Sequence, residues 1–183
     1  MNTNLLKEYN KFCNTTASKI KFALLGIACL VIGILTIHDQ DSDVPYFTFG
    51  CIACCVLMFG VILFRTVKQK RYVGQLEQNG ELEAVLQDFV NADSFINGKL
   101  KMGVRNVYCK NCRPVSYYEI GKVYQHIKKT NGVETDRFLV LENEEGKRIA
   151  RVAIKLAGKA NMDVAMIMTR MKHENPEIYL GYK

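Results

Sequence analysis

The stretch IKFALLGIACLVIGILTIHDQDSDVPYFTFGCIACCVLMFGVILF, residues 20–64, decides the architecture of the chain. Residues 20–37 hold a single charge, Lys21, and residues 44–64 hold none. At about 1.5 Å per helical residue, each part comes close to the ~30 Å hydrocarbon core of a bilayer. Between them His38, Asp39, Gln40, Asp41, Ser42 and Asp43 are polar and acidic, so the chain turns there. The expectation is a membrane helical hairpin of two spans. Ser42 or Asp43 caps the second helix, and Pro45 falls in its first turn, where a missing N–H costs little. Lys7, Lys11, Lys19 and Lys21 precede the hairpin and Arg65, Lys68, Lys70 and Arg71 follow it, while the loop has no Lys or Arg. The positive-inside rule then places both termini in the cytoplasm of a multi-pass cell-membrane protein.

What the spans contain limits what they do. Transporters and proton pumps carry ionisable groups at membrane depth, and apart from cysteine thiols these spans have none, so a transport path within one hairpin is not expected. Gly26, Cys29 and Gly33 share one helical face, as do Gly50 and Cys54, with Gly60 further along the second helix. Small residues at such spacing let helices approach closely, to close the hairpin on itself or to pack a homo-oligomer.

The net charge is +7, from 25 Lys+Arg against 18 Asp+Glu, and most of the excess flanks the spans as anchoring charge. A nucleic-acid binder would concentrate it in the soluble part, interleaved with aromatics, so no nucleic-acid partner is expected. Of seven cysteines, Cys29, Cys51, Cys54 and Cys55 lie in the spans as small apolar residues. Cys13, Cys109 and Cys112 face a reducing cytoplasm, which implies no disulfide framework.

Along the chain, residues 1–19 form a cytoplasmic N-terminal segment in which Leu5, Leu6, Tyr9 and Phe12 fall near one stripe, as in a short helix lying in the membrane interface, unless the segment is disordered. Residues 20–64 are the hairpin. Residues 65–90 make a juxtamembrane helical linker, since no strong breaker precedes Gly74, and Leu82, Val85, Leu86 and Phe89 repeat at i, i+3, i+4, i+7 beyond an Asn79-Gly80 break. From residue 91 to 183 the pattern is that of short strands: FINGKLKMGVRNVYC with a turn at Asn97-Gly98, VSYYEIGKVYQHIKK, a second turn at Asn131-Gly132, then RFLVLENEEGKRIARVAIK turning at Gly146. Short connections predict an antiparallel sheet. A last helix has Val164, Ile167, Met168 and Met171 as its apolar stripe, Asp163 in its first turn, Arg170, Lys172 and His173 in its last, and Asn175-Pro176 as its stop.

Short antiparallel strands closed by one C-terminal helix, after two spans, resemble the small bacterial membrane proteins with a cytoplasmic pleckstrin-homology-like (PH-like) domain, including the YcxB-like group. The likeness is carried by YYEIGKVYQ, with Glu119, Ile120, Val123 and Tyr124, by TNGVETDRFLVL, by the EEGK turn and by the ending NPEIYLGY, within residues 94–182. It implies a PH-like α+β fold, an antiparallel barrel or sheet closed by a helix, and a location; it implies no reaction and no catalytic residue. With bacterial relatives, phosphoinositide recognition is not expected, and attraction to anionic lipid should be diffuse, at about 1 kcal/mol per basic residue near the surface.

The common catalytic motifs are absent: no G-x-S-x-G, H-E-x-x-H, G-x-x-x-x-G-K-[ST] or G-x-G-x-x-G occurs. His38, His126 and His173 have no sequence partner that makes a nucleophile–base pair, and Asp88 and Glu119 read as caps or surface charges. Neither an enzyme nor a cofactor is expected. Cys109-Lys110-Asn111-Cys112 is the one constellation with chemistry in it, since a C-x-x-C turn chelates metal or cycles between thiol and disulfide. Cys109 and Cys112 are therefore the candidate metal ligands, although a structural zinc wants four, and only Cys13, His126 and His173 could add to them. As a plain turn, the motif should tolerate serine at both positions for no more than about 1 kcal/mol. The sequence thus reads as a membrane-anchored binding or scaffold module with a protein partner, its alternative being a redox- or metal-responsive regulator built on Cys109 and Cys112. At about 110 residues, residues 75–183 are long enough to fold alone.

Overall fold

The structure, a computed structural model, describes residues 3–14, 16–36, 44–154 and 160–182. It divides into two compact units: residues 14–79, and residues 1–13 together with 80–183.

The first unit is a pair of helices, α2 (Thr16–Thr36) and α3 (Val44–Gln78). Gly26 of α2 is buried against Phe59 and Met58, and Arg65 lies over the Phe22 ring, so the partner moves up α3 as α2 is followed back and the helices run antiparallel. A Cβ on Gly26 would stand 3.2 Å from the Phe59 ring, closer than side chains ordinarily pack. Gly26 and Gly33 are the buried face of α2, as the spacing predicts. On α3 the face of Gly50 and Cys54 is not the one that closes the hairpin: Cys55 is buried while Cys54 is exposed, and a Cβ on Gly50 or Gly60 would meet nothing. The large side chains point outward, with Leu24 61%, Leu63 66% and Phe64 68% exposed. Among the described residues one helix, Phe49–Gln78, is long and apolar enough to cross a membrane. At about 1.5 Å per residue α3 is some 50 Å long, so it continues past a ~30 Å apolar layer, through Gly74, as the lack of breakers predicts. Residues 37–43, with the acidic turn, His38 and the expected cap at Ser42 or Asp43, lie outside the described residues.

The second unit is α+β. Helix α1 (Thr3–Cys13) belongs to it, followed after the helix pair by α4 (Leu82–Val90). Strands β1 (Asp93–Phe95), β2 (Leu100–Met102), β3 (Asn106–Cys109) and β4 (Val115–Ser116) form an antiparallel meander. A second sheet has β5 (Lys122–Thr130), β6 (Val133–Glu142), β7 (Arg148–Ile154) and β8 (Tyr179–Tyr182) in the order β7-β6-β5-β8, with α5 (Ala160–Glu174) between β7 and β8 in sequence. These are two separate sheets rather than a closed barrel. One apolar core joins them, with Leu100, Val107, Val123, Leu139, Leu141 and Val152 from the strands and Val164, Ile167, Met168 and Met171 from α5. The stripe expected of the last helix is thus its buried face.

Two details depart from the expected strands. Tyr117–Glu119 forms a 3-10 turn instead of the start of a strand, because Ser116 and Glu119 make a reciprocal capping box and Arg113 Nη2 holds Glu119 Oε2 at 2.6 Å. Strand β5 begins only at Lys122. The C-terminal β8 pairs parallel to β5, Lys122 beside Tyr179, so the second sheet is mixed rather than antiparallel. The intervening β6, β7 and α5 supply the long crossover that a parallel pair needs.

Between β1 and β2, Ile96, Asn97 and Gly98 are all left-handed, with φ of 51°, 55° and 72°. For the β-branched Ile96 this backbone costs about 1–2 kcal/mol. It is held by complete burial of the side chain and by the Ile96 N–H, which donates to Asp163 Oδ2 at 2.8 Å. Asp163 thus fastens α5 to the first sheet. Arg170 does the same about two turns on, donating from Nη1 to Asp93 Oδ2 at 2.5 Å and from Nη2 to the Gly103 carbonyl at 3.0 Å.

Candidate functional site at the junction of α1, α4 and β3

Asp88 and the cysteines Cys13, Cys109 and Cys112 gather where α1 meets α4 and the first sheet. Asp88 of α4 is the fixed point. Its Oδ1 accepts from the backbone N–H of Val104 at 2.7 Å and of Arg105 at 3.2 Å; its Oδ2 accepts from the N–H of Asn106 at 3.2 Å and lies 2.8 Å from the Tyr108 hydroxyl. Three successive N–H groups closing on one carboxylate make a nest whose anion the chain supplies itself. Gly103 is required beside it, since any Cβ there would run into the Asp88 carboxylate. The Gly103 carbonyl also accepts from the Tyr117 hydroxyl at 2.9 Å. Burial pushes the Tyr117 phenol up to about 12 against the opposing effect of Arg170. Asp88 is therefore neither a helix cap nor a surface charge. Glu119, in its capping box, is the cap that the sequence suggests.

Around this clamp stand four aromatic rings. Tyr9 of α1 is fully buried, edge-on to Phe89 at 5.5 Å between centroids and to Tyr108 at 6.5 Å. Phe12 meets Phe89 at 5.3 Å, Phe89 meets Tyr108 at 5.3 Å, and Lys101 Nζ lies 4.1 Å over Phe89. The Leu5, Leu6, Tyr9, Phe12 stripe is real, but its aromatic half packs on the α+β unit instead of lying in a membrane interface. Edge-to-face rings provide a partner that lipid does not.

The C-x-x-C segment is the next turn of chain. Cys112 N donates to the Cys109 carbonyl at 3.0 Å, and Asn111 is left-handed at φ 65°, the conformation that a type II turn needs at its third residue. Lys110 N donates to the Lys99 carbonyl at 2.9 Å, and Asn111 N donates to the Phe12 carbonyl at 3.2 Å, which ties the turn to the end of α1. This brings the end of α1, where Cys13 follows Phe12, to the turn that carries Cys112. None of the three cysteines is in a disulfide; Cys13 and Cys109 are buried and Cys112 is half-buried. Burial pushes Cys13 up to about 12, with the Tyr9 hydroxyl pulling the other way and the nearby Cys112 adding to the rise. Burial also raises Cys109 strongly, with Cys112 and then Cys13 reinforcing it. Thiols kept protonated are weak nucleophiles and give up their protons to a metal reluctantly.

The expected metal pair is in place as a turn, and Cys13 comes to it, but the histidines do not complete it. His126 is half-buried within β5 opposite Phe138, and His173 is exposed on α5 with Glu174 Oε1 3.8 Å away. Among the described residues, no three of His, Cys, Asp and Glu stand where they could hold a metal ion. Compared with family models, with curated proteins and with solved structures, the chain matches none.

Proposed function

We propose that the protein is a non-enzymatic, membrane-anchored binding or scaffold module. Two spans hold it in the cell membrane with both termini in the cytoplasm, and its α+β unit, of PH-like type and similar to that of the YcxB-like bacterial proteins, engages a protein partner. The observation that carries this reading is the position of Tyr9. Residues before the apolar helix pair and residues after it share one core, Tyr9 against Phe89 and Tyr108, which supports both ends of the pair lying in one compartment. For an apolar pair in a membrane this favours two crossings over one. The charge of the flanking Lys and Arg supports the cytoplasm as that compartment. The exposed leucines, isoleucines and phenylalanines of α2 and α3 form an apolar surface far larger than a water-soluble protein tolerates, and the bilayer is the partner that covers it. Homo-oligomers along α3, where Gly50 and Gly60 stay uncovered, are a further use of the same helix.

The test is in-cell crosslinking of the tagged full chain from photoreactive residues placed at exposed positions of the α+β unit, such as Val133 or Tyr118. A discrete protein adduct is expected that is reproduced from neighbouring positions and absent when the residue sits on the lipid-facing side of α3. Adducts with lipid alone would contradict the scaffold reading.

A further inference from the structure

The three thiols at the α1 junction are not used by the scaffold reading. They come from two places nearly a hundred residues apart in sequence, and the backbone hydrogen bond from Asn111 N to the Phe12 carbonyl, 3.2 Å, lies one residue before Cys112 and one before Cys13. We propose that Cys112 and Cys13 form a reversible disulfide that latches α1 to the C-x-x-C turn when the cytoplasm is exposed to peroxide. Cys112 is the member of the cluster with solvent access; Cys13 and Cys109 are buried. It shares a tight turn with Cys109, its N–H donating to the Cys109 carbonyl at 3.0 Å, and it follows directly on Asn111, which is bonded to the residue before Cys13. It is thus the first to meet an oxidant, with a candidate for the second sulfur on each side.

Of those two, Cys13 is the better placed to move. It is the last residue of a short helix, whereas Cys109 is locked in the ladder opposite Leu100 and sits within the apolar core. In the first step the Cys112 sulfur attacks an oxygen of hydrogen peroxide; the S–O bond forms, the O–O bond breaks, the departing hydroxide takes up the proton released by the Cys112 thiol and leaves as water, and Cys112 becomes a sulfenic acid. In the second, the Cys13 sulfur attacks the Cys112 sulfur; the S–S bond forms, the S–O bond breaks, and the hydroxyl leaves as a second water with the Cys13 proton. Two thiols lose two electrons and one peroxide gains them. Burial of Cys13 makes the second step the slow one, so the latch records sustained rather than passing oxidant. A small cytoplasmic thiol such as glutathione reopens it by exchange. When closed, it joins the chain on either side of the apolar helices by a covalent bond, and α1 can no longer leave the aromatic cluster.

The pairing can be read directly. Trypsin places Cys13, Cys109 and Cys112 on separate peptides, residues 12–19, 106–110 and 111–122, the last kept whole because Arg113 precedes Pro114. Membranes holding the full chain are treated with hydrogen peroxide, free thiols are blocked with N-ethylmaleimide, and the unreduced digest is analysed by mass spectrometry. Peptide 12–19 joined to peptide 111–122 is the expected main product, reversed by dithiothreitol, lost in Cys13→Ala and kept in Cys109→Ala. The pairing is measured on the wild-type chain, so the result does not depend on a variant folding. A main product joining 106–110 to 111–122, or Cys112 oxidised without any linked peptide, would overturn the latch.

Discussion

The two units put the same residue types in opposite places. In the helix pair, Leu24, Leu57 and Leu63 face outward while Gly26, Gly33 and Cys55 are buried between helices; in the α+β unit, Leu86, Leu100, Leu139 and Leu141 are buried and the glycines serve turns and close approaches. A leucine is driven inward only where the outside is water. In hydrocarbon nothing is gained by hiding it, and close helix contact through small residues decides the packing instead. On the membrane-anchored reading proposed above, the difference between the units is a difference of solvent. Tyr9, packed in the α+β core, then belongs to the water side of it, although it lies in sequence just before the apolar stretch.

Truncating Tyr9 should therefore have the largest effect. Tyr9→Ala removes a fully buried ring and leaves Phe89 and Tyr108 facing a cavity, and the α+β unit should lose about 3–5 kcal/mol in chemical denaturation of the full chain in nanodiscs. It also follows that residues 75–183, expected from their length to fold alone, lack a piece of their core. That fragment should melt well below one carrying residues 1–13 on a flexible linker. Equal melts would remove α1 from the account.

The Asp88 clamp comes next. Asp88→Ala leaves the N–H groups of Val104, Arg105 and Asn106 without their acceptor, and a loss of about 2–3 kcal/mol is expected, detected also as faster amide exchange at those three residues. Change confined to α4, with the 103–106 loop still protected, would show that the nest holds itself.

The cysteines separate on a smaller scale. A serine at Cys109 would bury a hydroxyl in the apolar core and should cost about 1–3 kcal/mol, more than a plain turn would, whereas Cys112→Ser, half-exposed, should cost under about 1 kcal/mol. Equal costs would mean that Cys109 is not part of the core. Smallest per pH unit is the alkaline effect, which is spread over several units. Cys13 is pushed up to about 12 in the folded chain from an ordinary value of 9.0, so its stabilising contribution is complete below pH 9 and is lost as pH rises from 9 towards 12. Wild type should lose up to about 1 kcal/mol per pH unit more than Cys13→Ala in that range. Parallel curves would place Cys13 in contact with solvent.

How far the sequence could be read follows the range of the forces. Leu82, Leu86 and Phe89, the α5 stripe, and the turns at Asn97-Gly98, Asn131-Gly132 and Gly146 are local signals, and each is realised where its period or turn chemistry puts it. Pairing of β8 with β5 depends on an edge that exists only after β6, β7 and α5 have folded, so no local pattern announces a parallel strand. YYE carries strand-forming residues, and the capping box across Ser116 and Glu119 overrides them. At the site, Cys109 and Cys112 were legible as a turn. Cys13 was only one of three distant candidates and Asp88 only a cap or surface charge, because each acquires its place from residues well separated in sequence, Cys13 through the Asn111–Phe12 hydrogen bond and Asp88 from the N–H groups of residues 104–106. The visible hint was the aromatic spacing of Tyr9 and Phe12, which fits a buried helix as well as an interfacial one.

The most direct test of the central claim, that both ends of the helix pair lie on one side of a membrane, is labelling with a membrane-impermeant maleimide in intact cells. Cys13 and Cys109 are poor reporters because burial alone would protect them. Single cysteines at Ser42, at the exposed Lys7 and at the exposed Val133, in a background with the native cysteines changed to alanine, avoid this. Ser42→Cys is expected to react in intact cells, while Lys7→Cys and Val133→Cys react only after the membrane is permeabilised. Reaction of just one of Lys7→Cys and Val133→Cys in intact cells would place the two ends on opposite sides and contradict the claim.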